Sequence, residues 1–238
     1  MIIRKIHHLF HVKANHTLEA NLSNLKRQEE KSVYKLYYSP FACSLAVHIA
    51  LEKIGAEFEL EKIDVRKGQH QTNEYSEINK HRKVPLLQDG DQLIDQGAAI
   101  LIYLADKHPG ADIMPSVGDE QRGKALSALF YMSNTVHPTF SVVFNPDRFT
   151  FGSTDEVLSK SMEKIELLLE EFDQLLTEQD FISGKKPYAV DYYLATMLNW
   201  LQLFQKTLYA YPHLQSYKQR IDGLPEVARA SSQEMAAL

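Results

Sequence analysis

The sequence predicts an α/β domain followed by an all-α helical domain. Three observations carry this reading. Over residues 33–107, short aromatic, β-branched and alternating runs interleave with helical patterns in the order β-α-β-(α)-β-β-α. From residue 112 to 238 the pattern is helix after helix. Between them, around 109–116, proline and glycine interrupt the periodicity and the composition changes. The expected domains are therefore 33–109 and 112–238, with residues 1–32 as an N-terminal extension of unassigned role.

In the first domain, 33–38 reads as a strand ending in the Ser39-Pro40 turn, and 45–54 as an apolar helix that Gly55 stops as a left-handed cap. Residues 58–63 alternate and make the second strand, so the unit is β-α-β with a right-handed crossover. A short helix is expected near 74–78. The strand 84–88 begins with Pro85, Asp89-Gly90-Asp91 is a tight turn, and 92–95 returns as the other arm of a hairpin. Residues 96–107 form a helix stopped by His108-Pro109-Gly110. A trans Val84–Pro85 bond at a strand edge is compatible with the sequence. So is a cis bond, which would turn the Val84 N–H and C=O outward toward an extended ligand.

The helical domain opens with one long helix expected over 120–144. Thr154 caps the next, whose stripe is Leu158, Met162, Ile165, Leu169, Phe172 and Leu176. Residues 190–204 repeat the pattern, and two shorter helices follow, near 213–221 and 225–235.

Composition narrows the function classes. The chain has 238 residues, 44% hydrophobic and 24% charged, with a mean hydropathy of −0.32, ordinary for a globular protein in water. A net charge of −5 gives no broad basic field, so no nucleic-acid partner is expected. No apolar run reaches the roughly 18–20 residues of a transmembrane helix, so no membrane partner is expected either. The single cysteine can make neither an intrachain disulfide nor a cysteine-rich metal site, and it suits a reducing, cytoplasmic setting. In residues 1–32, Ile2, Ile3, Ile6, Leu9 and Phe10 are broken up by Arg4, Lys5, His7, His8 and His11, unlike the continuous core of a secretory signal. No carboxylate or cysteine accompanies these histidines, and no metal is expected there. Leu18, Leu22 and Leu25 suggest a helix over 17–30.

Cys43 is the residue with the most chemical content. It follows a strand and a proline turn and precedes a helix, where unpaired N–H groups and the positive helix end stabilise an anion or a thiolate. A cysteine that merely packs is the competing reading.

The motifs then fall into a known order. Lys35-Leu36-Tyr37-Tyr38-Ser39-Pro40-Phe41-Ala42-Cys43-Ser44-Leu45 is similar to the opening of the bacterial beta class of glutathione transferases, whose cysteine lies in this turn. Lys83-Val84-Pro85-Leu86-Leu87 resembles that family's strand with its cis proline. Leu93-Ile94-Asp95-Gln96-Gly97-Ala98-Ala99-Ile100 resembles the segment that grips the γ-glutamyl end of glutathione. Val190-Asp191-Tyr192 resembles the start of the family's core helix, where an aspartate helps to cap. The resemblance spans about 34–225.

The resemblance implies a thioredoxin-like first domain, a helical second domain, glutathione as co-substrate, a small apolar electrophile as partner and a homodimer. It implies that Cys43 faces the glutathione sulfur, with its pKa lowered by the helix start, and that Ser39 is a rival hydroxyl for that sulfur; Tyr38 is expected to pack. It implies that His137 points at the sulfur site as donor or acid/base, with Asn134 on the same wall. Val84 would pair with the cysteinyl part, helped by a cis Pro85. Gln96 and the Gly97 N–H would hold the γ-glutamyl carboxylate, and Lys67 or Lys83 would neutralise the glycyl carboxylate. Phe41, Tyr131, Phe140 and Phe144 are expected to line the electrophile cleft.

The chain departs from the pattern at four places. Gln96 replaces a glutamate, Pro138 replaces a lysine, Tyr188 stands where a serine or threonine caps, and residues 1–32 are foreign to the family. The expected activity is conjugation of glutathione to apolar electrophiles, or thiol–disulfide exchange through Cys43 with glutathione as the second thiol. A non-catalytic binding or regulatory protein of the same fold, and a glutathione-dependent isomerase or dehalogenase, are the alternatives.

Overall fold

The structure, a computed structural model, describes residues 33–238; the helix and histidines expected within 1–32 lie outside the described residues. Strand β1 (Tyr34–Tyr38) is the centre of a four-stranded sheet ordered β2-β1-β3-β4. It runs parallel to β2 (Phe58–Lys62) and antiparallel to β3 (Leu86–Asp89), which pairs in turn with β4 (Gln92–Asp95). Helix α1 (Leu45–Ile54) makes the crossover, and its end at Gly55, φ 69°, is the left-handed cap expected from the sequence. Helices α2 (Asn73–Ile78) and α3 (Gly97–Lys107) complete this part.

Strand β1 is buried on both faces, as a central strand covered by two layers should be. Leu36 and Tyr38 point into the main core, while Tyr37 joins a smaller cluster with Ile63, Tyr75 and Leu86. The main core runs without a break into the helical part, because α1 packs on both α7 (Ala189–Trp200) and α9 (Pro225–Ala236).

The helical part departs from expectation in one instructive place. Residues 120–144 are not one α-helix. Helix α4 (Arg122–Tyr131) and α5 (His137–Phe144) are joined by a π-helical turn, Met132–Val136. The cause is Pro138. It has no N–H to give, and its ring crowds the carbonyl one turn back, so the ladder slips by one residue and the His137 N–H reaches Met132 O.

Three smaller corrections follow. Helix α6 (Thr154–Leu175) has Ser153, not Thr154, at its N-cap. The helix expected over 190–204 becomes 3₁₀ after Trp200. Phe130 and Phe144, whose spacing with Leu126, Leu129, Val136, Phe140 and Val143 suggests one apolar side, are 46% and 42% exposed. Helix α8 (Pro212–Asp222) then leads to α9.

Tyr188 brings no hydroxyl to the start of α7, and Asp191 takes over from inside the helix. Its carboxylate accepts from the Tyr188 N–H (3.0 Å), the Ile182 N–H (2.7 Å) and the Ser183 hydroxyl. The buried Tyr217 hydroxyl donates to the Asp191 carbonyl at 3.1 Å. Desolvation pushes the Asp191 carboxyl up to about 6, against the pull of these donors. Replacing Asp191 by alanine strands three donors in a buried site. It should lower unfolding stability by about 2–4 kcal/mol in a urea titration, with Asp191→Asn, which keeps one acceptor oxygen, losing less.

Candidate functional site

The turn after β1 folds on its own polar atoms. The Ser44 hydroxyl accepts the Ser39 N–H and donates to the Ser39 carbonyl, both at 3.2 Å, and the Ala42 N–H reaches the same carbonyl at 3.0 Å. Ser39 is thereby buried, with its main chain committed to closing the turn. At the apex Phe41 has φ 55°, a left-handed conformation that a phenylalanine holds only when its surroundings impose it. The surroundings are two long-range hydrogen bonds from the helical part. The Phe41 N–H donates to Glu234 Oε2 at 2.6 Å, and Trp200 Nε1–H donates to the Phe41 carbonyl at 2.8 Å.

Glu234, on α9, is fully buried, as is its partner His48 on α1. His48 Nδ1 meets Glu234 Oε1 at 3.0 Å and Nε2 meets Gln233 Oε1 at 2.9 Å. The Gln233 amide group donates to Glu52 Oε1 at 2.8 Å, which fixes which of its ends faces His48. Both ring nitrogens thus face an oxygen, one of a carboxylate and one of an amide.

Cys43 follows this clamped apex. Its thiol donates to the Val84 carbonyl at 3.3 Å. The Val84–Pro85 bond is cis, and Val84 stands just ahead of the ladder that begins at Leu86. The surrounding protein desolvates the thiol and pushes it up to about 11, outweighing the backbone N–H groups of Cys43 and Ser44 and the Lys83 charge. The helix start was expected to lower this pKa. It does pull that way, but it loses to burial, and the ligand-free residue is a thiol, not a thiolate.

Lys83 acts on both Cys43 and His137. His137 Nδ1 lies 2.8 Å from the Tyr193 hydroxyl, and its ring packs 5.3 Å from Trp200. Burial holds the imidazole down at about 4, with Lys83 adding to the effect, so His137 is neutral near pH 7. Phe140 and Phe144 meet the Trp200 ring at 6.1 and 5.2 Å, and Phe204 packs on both phenylalanines. The result is an aromatic wall beside the histidine.

On the other side, Gln96 is the residue before α3, with φ 67° and ψ 109°, and no side chain caps that helix. Its first N–H groups, beginning with Gly97, have no partner within the helix, which suits an anion. Gly97 is where Pro85 and Tyr193 come close: a Cβ there would lie 3.7 Å from Pro85 Cγ and 3.8 Å from the Tyr193 oxygen.

The sequence candidates therefore separate. Cys43, Val84, Pro85, Gly97, Lys83 and His137 are brought together through these contacts, with Gln96 at their edge. Lys67 is 86% exposed and pairs with Asp64 at 3.2 Å. Asn134 is exposed, and its oxygen accepts from Ser133 Oγ at 3.1 Å; it makes no hydrogen bond to His137 or Cys43. Tyr131 turns to Glu171, 2.8 Å away.

Four residues went unforeseen: His48, Tyr193, Trp200 and Glu234. Among the described residues no cluster of His, Cys, Asp or Glu could hold a metal. Two surface cavities on the helical part, one lined by Leu176, His213 and Arg220 and one by Met162, Lys206 and Tyr211, share no residue with the thiol turn.

The family model "Glutathione S-transferase, N-terminal domain" matches residues 32–106, and "Glutathione S-transferase, C-terminal domain" matches 131–225. The chain belongs to the glutathione S-transferase family. It is 32% identical over 202 residues to glutathione S-transferase GstA of Escherichia coli O157:H7, covering 84% of this chain and 98% of that one. It is 29% identical over 170 residues to glutathione S-transferase GST-4.5 of Xanthomonas campestris, covering 70% and 81%. Among solved structures, a sphingomonad glutathione S-transferase complexed with glutathione superposes with a TM-score of 0.76 at 32% identity, over 84% of this chain and 98% of that one. A beta-class glutathione S-transferase from Sphingomonas chungbukensis gives 0.76 at 33% identity over the same shares.

Within this family fold the turn and its thiol can be tested directly. Alkylation of Cys43 by a small haloacetamide, followed by mass spectrometry without ligand, should be slow at pH 7.5. It should rise about tenfold per pH unit and level off only near 11, not near the 8.5 of a free thiol. Glu234→Ala leaves the Phe41 N–H and His48 without their buried acceptor. It should cost about 3–5 kcal/mol of stability by urea titration.

Proposed function

We propose that this glutathione S-transferase conjugates glutathione to small apolar electrophiles, working in detoxification as a cytoplasmic homodimer. The observation that carries the reading is the grouping of the Cys43 thiol, the Val84 carbonyl, the uncapped start of α3 and His137 around one site.

Glutathione would lie extended along this site. Its γ-glutamyl carboxylate would sit on the first N–H groups of α3, at Gln96 and Gly97. Its cysteinyl N–H would take the Val84 carbonyl as acceptor, displacing the Cys43 thiol that donates there in the free protein. The freed thiol would then turn to the ligand sulfur. Lys83, whose charge reaches both Cys43 and His137, is better placed than Lys67 to balance the ligand's negative charge. His137 would serve as a neutral hydrogen-bond donor to the ligand thiolate, since burial disfavours an imidazolium. Ser39 is buried beneath the turn it closes, so Cys43 is favoured over it at the sulfur. An electrophile would stack against Phe140, Phe144 and Trp200.

In the reaction the glutathione thiol gives its proton to solvent and its sulfur attacks the electrophilic carbon. A carbon–sulfur bond forms and the leaving group departs with its electron pair. Disulfide exchange through Cys43 is disfavoured in the free protein, because the attacking species would be a thiolate and burial keeps Cys43 protonated.

Retention on immobilised glutathione and turnover of an aryl halide should both be observed, and no binding at millimolar glutathione would overturn the reading. Cys43→Ala should reduce conjugation by about tenfold, ~1.4 kcal/mol of barrier, and abolish the mixed disulfide that Cys43 forms slowly with oxidised glutathione at high pH. If both persist unchanged, Cys43 does not face the ligand sulfur.

A further inference from the structure

We propose that Tyr193 is a positioning residue that fixes the tautomer of His137, holding its Nδ1 as an acceptor so that Nε2–H is presented to the sulfur site. The Tyr193 oxygen lies 2.8 Å from His137 Nδ1. A neutral tyrosine and a neutral imidazole share one hydrogen at that contact, in one of two ways. If Nδ1–H donated, the phenol hydrogen would need a second acceptor. Tyr193 is 4% exposed, and among the described residues its hydroxyl has no hydrogen-bond partner other than His137. That arrangement would bury a donor with nothing to receive it. The phenol therefore donates to Nδ1, and the ring's single hydrogen sits on Nε2.

Nε2 has no hydrogen-bond partner among the described residues, and it is not enclosed: the enclosed, unpartnered side-chain polar atom found among them is His70 Nδ1. Nε2–H is thus accessible to an incoming group. The neighbourhood is that of the thiol. Desolvation raises the Tyr193 pKa, with Cys43 adding to it once ionised, and Lys83 acts on both Cys43 and His137. Gly97 supports the placement, because the Tyr193 oxygen fits beside a residue with no side chain. The inference rests on the reading of His137 as a donor to the glutathione thiolate and adds what sets that donor.

The test uses Tyr193→Phe, which keeps the ring and removes only the hydroxyl, in the full chain with ¹⁵N-labelled histidine. The His137 ring is assigned by difference from His137→Gln. In the unaltered protein the ring nitrogens should report hydrogen on Nε2 alone; in Tyr193→Phe a fraction on Nδ1 should appear. Ultraviolet titration of bound glutathione should show its thiol pKa rising by about one pH unit in Tyr193→Phe, by a similar amount in His137→Gln, and no further in the double variant. Hydrogen on Nδ1 in the unaltered protein overturns the proposal. So does a Tyr193→Phe variant with unchanged ring nitrogens or an unchanged thiol titration. A tautomer that shifts as expected in a protein that binds no glutathione overturns the proposed function instead, and the ring nitrogens still decide what Tyr193 does.

Discussion

The thiol turn depends on the hold that the helical part keeps on one residue. Phe41 sits in a conformation that no local interaction favours, and both of its backbone polar groups are gripped from outside the sheet, by Glu234 and by Trp200. The carboxylate is itself anchored through His48 and Gln233 to α1, the helix that starts just after the turn. Cys43, two residues beyond Phe41, inherits its position from this frame. So does the contact between its sulfur and Val84, which stands just ahead of β3.

Desolvation decides the chemistry inside that frame. Enclosure raises the Cys43 thiol and lowers the His137 imidazole, so both are uncharged near neutrality. A site built from neutral donors around an uncapped helix start leans positive, with the Lys83 charge nearby. It is arranged to receive an anion, and it does not itself supply one. This matches a protein whose nucleophile arrives with the co-substrate.

Much of the fold was legible because its signals are local. The hairpin of β3 and β4, the Gly55 cap, the order of elements along the chain and the stripe of α6 all follow from periodicity and turn chemistry within a few residues. Asp191 was readable as a substitute cap because it lies three residues from Tyr188. The failures share a different cause. Glu234 reaches Phe41 across 193 positions and His48 across 186, and no local pattern records such a pairing. The one available signal was His48 itself, a polar ring within the apolar run of α1 that needed partners. Trp200 and Tyr193 read as core residues of an apolar helix, which they also are. The break at Met132–Val136 could have been read from Pro138. The sign of the Cys43 shift could not, since it weighs a helix end against an enclosure that only the folded chain creates.

The long reach of the Glu234 contact also bears on how the molecule assembles. Closing a link of that span is among the last steps a chain can take, because the loop entropy must be met before the contact repays it. Until α9 docks, the turn lacks the carboxylate clamp on its apex. Docking of the final helix thus does two things at once: it completes the core, and it closes the carboxylate clamp on the apex of the thiol turn.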